Sequence, residues 1–203
     1  MSEIQLITVL YLLVAARALL FFAPKLLASS EQRRTVQETL DSVVVAGVAA
    51  LLLITFVVRS FYIPSASMVP TLRIQDYVLV NELIYRVSSP MRGDIVVFRP
   101  PHDPARDYIK RVVGIEGDVL EVKEGRLFRN SVPIDEPYTY EPEILGDQEP
   151  VRVPAGRLFV MGDNRNNSSD SRVWGFLPVN RVVGRASLIF WPPNRVRLLR
   201  SPA

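Results

Sequence analysis

The amino-acid sequence predicts an all-β domain over residues 61–203, anchored by two N-terminal transmembrane helices. Three observations carry this. Two long apolar runs, Ile4–Phe22 and Val43–Val58, both precede residue 61. Beyond it the apolar residues fall into short β-type runs punctuated by Gly-Asp and Glu-Gly turns. No segment of that half keeps a sustained helical apolar period.

The elements follow in order. Ile4–Phe22 is apolar except for Gln5, Thr8 and Arg17, long enough to span a bilayer, with Arg17 near its end and able to snorkel. A cleaved signal peptide is the competing reading. Glu3 stands where a basic cluster belongs, and no small-x-small cleavage site follows. Residues 23–42 are polar and read as a loop carrying Lys25, Arg33 and Arg34. Val43–Val58 is shorter, but Arg59 and the Phe61-Tyr62 pair extend it to a span, roughly 43–60. The basic residues favour a cytoplasmic loop, both termini outside and an exoplasmic β domain, by a narrow margin. The expected location is therefore the cell membrane, multi-pass. Expected strands are Tyr77–Val80, Ile95–Phe98, Tyr108–Val113, Val119–Val122, Leu127–Phe128, Leu158–Met161 and Val182–Trp191. Residues 130–155, rich in Pro and acids, read as a loop-rich insertion without its own core.

Composition narrows the chemistry. The 203 residues contain no cysteine, which excludes a thiol nucleophile, a disulfide framework and a thiolate metal site. The single histidine, His102, lies in the Pro-rich turn RPPHDPARD, a weak base for a zinc site or a Ser-His-Asp triad. The net charge of +3 is scattered and forms no arginine stripe interleaved with aromatics, so nucleic acid is not an expected partner. No cofactor or metal is expected. Only Lys25, Lys110 and Lys123 are lysines among 24 basic residues. Arginine stays protonated in proteins, whereas a desolvated lysine can be neutral.

Ser67 lies in the Pro-bounded turn PSASMVPTL, Pro64–Leu72, within nine residues of the second apolar run. Nine extended residues reach at most ~30 Å, which holds this serine near a membrane surface. A serine hydroxyl needs a base before it attacks; on its own it reads first as a turn residue bonding its backbone. In DYIKRVVG, Lys110 shares a strand face with Tyr108 and Val112, so desolvation lowers its pKa and suits it to general-base work. The alternative is an edge-strand lysine that blocks aggregation. The polar stretch GDNRNNSSDSRVWG, Gly162–Gly175, offers Ser168, Asp170 and Arg172 at alternate positions, a hydroxyl to orient the lysine and an ion pair to brace it.

Taken in order, PSxSMxPTL, DYIKRVVGxxGD and GDNRxxSxDSRxWG resemble the motifs of the bacterial type I signal peptidases, membrane-bound serine proteases that remove signal peptides from exported preproteins. The resemblance covers Phe61–Trp191 and the two-span layout. It implies that Ser67 is the nucleophile and Lys110 the general base. It further implies that the Ser67 N–H and Ser65 hydroxyl are oxyanion donors, and that Ser168, with Asp170 and Arg172, supports the lysine. Phe61, Ile63, Pro64, Met68, Leu72, Val78, Val97, Asp107, Tyr108 and Ile109 match positions lining shallow pockets for the small residues before the cut. The family implies two packed antiparallel sheets and a small β-rich insertion, here about 118–157, with preproteins and membrane lipid as partners. A substrate segment would bind as an added strand. His102 matches no functional position. Two other readings are a self-cleaving serine–lysine protease, which lacks its DNA-binding segment here, and a membrane-tethered β module that binds peptides without catalysis.

Overall fold

The computed structural model describes Tyr11, Val14, Ala15, Ala18 and residues 30–56, 58–101, 103 and 105–199. The chain divides into two compact units, Met1–Val57 and Val58–Ala203. The first expected span, apart from those four residues, lies outside the described residues.

In the first unit, helix α1 runs over Ser30–Phe56. It is continuous through the polar segment expected to be a loop and the apolar run expected to be a span. The reason is visible locally: Arg34 and Glu38 pair one turn apart at 2.8 Å, and nothing from Ser30 to Ser42 is a Gly or Pro that would break the helix. Among the described residues no helix is long and apolar enough to cross a membrane. The second apolar run is also shorter than expected as a helix, because Val58 already belongs to a strand.

The second unit is built from twelve strands among the described residues: β1 Val58–Tyr62, β2 Tyr77–Asn81, β3 Ile95–Phe98, β4 Tyr108–Gly114, β5 Val119–Lys123, β6 Arg126–Arg129, β7 Val132–Pro133, β8 Gln148–Arg152, β9 Arg157–Met161, β10 Leu177–Pro178, β11 Val182–Trp191 and β12 Arg197–Leu198. Two one-turn helices, α2 Ile84–Val87 and α3 Ser171–Trp174, interrupt them. The larger sheet has the order β1-β2-β11-β3-β4-β9-β10, with β12 on β11; the smaller has β7-β6-β5-β8. Every pairing is antiparallel. The all-β, two-sheet architecture is thus present, and the second sheet is formed by the insertion itself.

Alternation explains how the sheets are packed. In β3, Ile95 and Val97 face one hydrophobic cluster with Ile63, Met68, Leu72, Val78, Val80, Ala186 and Ile189. Val96 and Phe98 face another with Val112, Leu158, Val160 and Leu177. β3 is therefore buried on both sides, which its unbroken IVVF run reflects. β9 divides likewise: Leu158 and Val160 point into the second cluster, Phe159 and Met161 into a third that holds the small sheet through Val113, Leu120, Val122, Leu127, Ile144 and Val153. Fully burying side chains of this kind contributes ~1.5–3 kcal/mol each. β4 and β9, which carry or precede the motif residues, thus form a rigid centre of the domain.

Candidate active site

The Pro64–Leu72 turn crosses over the centre of the large sheet. Met68 and Leu72, with no exposed surface, anchor it in the core. The Val69 N–H donates to Ala66 O at 3.1 Å and the Leu72 N–H to Met68 O at 2.8 Å. Immediately before Met68, Ser67 is held with its hydroxyl against Lys110 of β4. Lys110 lies in β4, with Val96 of β3 opposite it, and β9 flanks the strand on its other side. It is only 4% exposed. An interior, buried position removes the edge-strand reading of this lysine. Its Nζ donates to Ser67 Oγ at 2.7 Å and to Ile109 O at 3.0 Å, and stands 5.8 Å from the Tyr108 ring centre. Burial pulls the Lys110 pKa down to about 8, against the opposing pull of the Asp170 and Asp163 carboxylates. The amine can therefore be neutral within a pH unit of physiological conditions, next to a serine hydroxyl. That is the arrangement an activated nucleophile requires.

Ser65 Oγ is 3.3 Å from Ser67 Oγ and is exposed. Around the pair lies a cleft of about 400 Å³ lined by Pro64, Ser65, Ala66, Ser67, Arg106, Asp107, Tyr108, Ile109, Lys110, Asn167 and Ser169. Of the expected pocket residues, Pro64, Asp107, Tyr108 and Ile109 line it. Ile63, Met68, Leu72, Val78 and Val97 are buried in the core and Phe61 packs against it; the pleat turns Val78 and Val97 there, and the turn between β1 and β2 brings Ile63, Met68 and Leu72. Arg106, Asn167 and Ser169 line the cleft without having been expected there; their only sequence signal is adjacency to motif residues. His102 lies outside the described residues.

The loop after β9 closes the site from the other side. The Asn164 N–H donates to Ser67 O at 3.1 Å and its side-chain amide to Ala66 O at 3.2 Å. Asp170 is fully buried. It caps α3, accepts two bonds from the Arg172 guanidinium and one from the Gly162 N–H. Burial alone would raise the Asp170 pKa; Arg172, Gly162 and the nearby Ser168 hydroxyl outweigh it and hold the carboxyl below its ordinary range. Ser168 Oγ is buried and faces this carboxylate, short of full hydrogen-bond geometry. The expected Lys110–Ser168 bond is not formed: the amine is occupied by Ser67 and Ile109.

Gly162, read from the sequence only as a turn residue, has a stricter reason. A Cβ there would lie 2.4 Å from both Ser168 Oγ and the Ser67 carbonyl oxygen. No side chain fits between the two halves of the site. Gly162→Ala is expected to displace the Ser67 turn and lower kcat by about 100-fold or more, the effect of an ångström-scale misplacement, while thermal unfolding stays cooperative. Wild-type kcat in that variant would show that the close approach is not needed.

Beneath the site, Arg111 forms a two-bond pair with Asp163 at 2.8 and 2.6 Å, with the two side chains 2% and 0% exposed. Thr71 of the serine turn also donates to Asp163. Alternation in β4 thus puts the lysine on one face and the arginine that ties down the next loop on the other.

The family described as signal peptidase, peptidase S26, matches residues 36–191. A probable signal peptidase I-1 of Synechocystis sp. is 44% identical over 167 residues, covering 79% of this chain and 85% of that protein. A signal peptidase I of Leptolyngbya laminosa is 40% identical over 173 residues, covering 82% and 85%. Among solved structures, a signal peptidase I from Enterococcus faecalis V583 is 29% identical with a TM-score of 0.44, covering 49% of this chain and 97% of that one. With the motifs, the family match and the relatives in agreement, this chain belongs to the signal peptidase family, peptidase S26, and is a serine endopeptidase.

Proposed function

We propose that the chain cleaves N-terminal signal peptides from exported preproteins at a membrane surface, with Ser67 as nucleophile and Lys110 as general base. The observation that carries this is the 2.7 Å contact between Lys110 Nζ and Ser67 Oγ inside a site that makes the amine easy to deprotonate. The neutral amine takes the Ser67 proton along this contact while Oγ attacks the scissile carbonyl carbon. Charge builds on the carbonyl oxygen, where the Ser67 N–H and Ser65 hydroxyl serve as donors. Protonated Lys110 then gives its proton to the leaving amine. Water, deprotonated by the same lysine, attacks the acyl-enzyme and restores Ser67. Asp170 and Arg172 brace the loop, and Ser168 becomes a partner for the amine when Ser67 Oγ is acylated.

The cleft, lined by Ala66, Ile109 and Pro64 among others, is proposed to take small side chains before the cut. Membrane attachment through residues before 61 is part of the proposal, with the β domain exoplasmic. It is supported by exposed Val43, Val45 and Val48 on α1 and by exposed Tyr62, Tyr77 and Trp191 on neighbouring strands, aromatics of the kind that settle at headgroup level.

The test is cleavage of a preprotein by the full chain purified in detergent. One cut is expected, after a small-x-small segment, identified by sequencing the new N-terminus. Scattered cuts, or none with active-site serine intact, would overturn the substrate assignment.

A further inference from the structure

The small-sheet insertion grips the loop that completes the active site. The Arg165 side chain has no exposed surface, and its guanidinium makes a two-bond ion pair with Glu136. Arg165 Nε donates to Gly162 O at 2.9 Å, and the Arg165 carbonyl accepts from Arg172, the partner of Asp170. The Tyr138 hydroxyl donates to Glu136 at 2.7 Å. Its ring centre lies 3.9 Å from Arg111 Cζ and 6.0 Å from Arg165 Cζ, between the two buried cations. The backbone joins in: the Tyr140 N–H donates to Asp163 O at 3.0 Å. Asn166 accepts from the Leu145 N–H and donates to Glu143 O. Neither Glu136 nor Tyr138 lines the cleft.

From this we infer that Glu136 and Tyr138 are positioning residues for the proteolytic reaction, acting through Arg165 and Gly162 on Ser67. The inference rests on the Ser67–Lys110 reading. Arginine cannot shed its charge when buried. Without Glu136, Arg165 must find another carboxylate or water, and its neighbours Asp163 and Asp170 already serve Arg111 and Arg172. Any shift of Arg165 moves the Gly162 carbonyl and Arg172 with it. Gly162 in turn is packed so tightly on Ser67 O and Ser168 Oγ that it transmits the movement.

The experiment compares wild type, Glu136→Gln, Tyr138→Phe and Ser67→Ala as full chains in detergent, measuring kcat and KM on a preprotein, with folded fraction by thermal unfolding. Glu136→Gln is expected to lower kcat by roughly 10- to 100-fold, the usual effect of removing an outer support. KM should stay within about twofold, since no cleft contact is lost. Tyr138→Phe keeps the ring and loses only the bond to Glu136, so its kcat should fall by about three- to tenfold. A kcat unchanged in both variants overturns the inference. So does a loss of activity that merely follows the folded fraction. If Glu136→Gln does not fold, Tyr138→Phe decides: reduced kcat at constant KM supports the inference and wild-type kcat overturns it. An active Ser67→Ala enzyme would instead sink the reading on which the inference rests.

Discussion

Substituting Ser67 by Ala or Lys110 by Met is expected to lower kcat/KM by about 10⁴-fold or more, and the double substitution should cost little beyond either single one, because the two groups act as a unit. Among the described residues Ser67 Oγ is the only nucleophile in contact with the Lys110 amine, so neither partner has a replacement there. The Lys110 variant has a second expected effect of opposite sign. Its folded pKa of about 8 lies below the ordinary 10.5, so the unfolded chain binds more protons than the native one between these values. Stability should therefore rise with pH through that window, and the cost of holding a cation in a dry site is fully present below it. Met keeps the apolar stem without the charge. Its thermal midpoint at pH 7 should exceed that of wild type by several degrees. Activity lost together with stability would identify Lys110 as a structural residue instead.

The pH–rate profile should rise with a slope of one below about pH 8 and level off above it, because only the neutral amine accepts the Ser67 proton. Lys110→Arg preserves the charge but cannot deprotonate, and should be inactive by a similar factor of about 10⁴ at every pH tested. A profile flat from mildly acidic to alkaline pH while chemistry limits the rate, or an active arginine variant, would remove Lys110 from the role of base.

Much of the β framework was legible in the sequence because its strands are apolar runs bounded by turns. Ile95–Phe98 and Val182–Trp191 coincide with their strands, and Tyr108–Val113 falls one residue short. The strand Val58–Tyr62 was hidden because Val58 closes the second apolar run and Arg59, Phe61 and Tyr62 read as the interfacial end of a span; only its pairing with Tyr77–Asn81 reveals it. Gln148–Arg152 has no alternation and contains Pro150; it is a strand because Val119–Val122 supplies the partner. The same limit applies to the site. Ser67 and Lys110 stand out in ordered motifs, and the structure brings them to 2.7 Å. Met68, Leu72, Val78 and Val97, however, look alike as pocket or core residues until the fold packs them into one cluster. Glu136 and Tyr138 carry no local signal at all. Their importance arises from a contact with Arg165 and Arg111, distant in the chain, that composition reads only as an acidic, Pro-rich loop.

The most direct measurement is the mass of the enzyme during turnover of a slowly deacylated peptide substrate, followed by mapping of the modified residue. The account predicts one acyl group per chain, esterified to Ser67, appearing faster as pH rises through about 8 and absent from the Lys110→Met enzyme. An acyl group on another residue, or cleavage through Ser67→Ala at the wild-type rate, would contradict it.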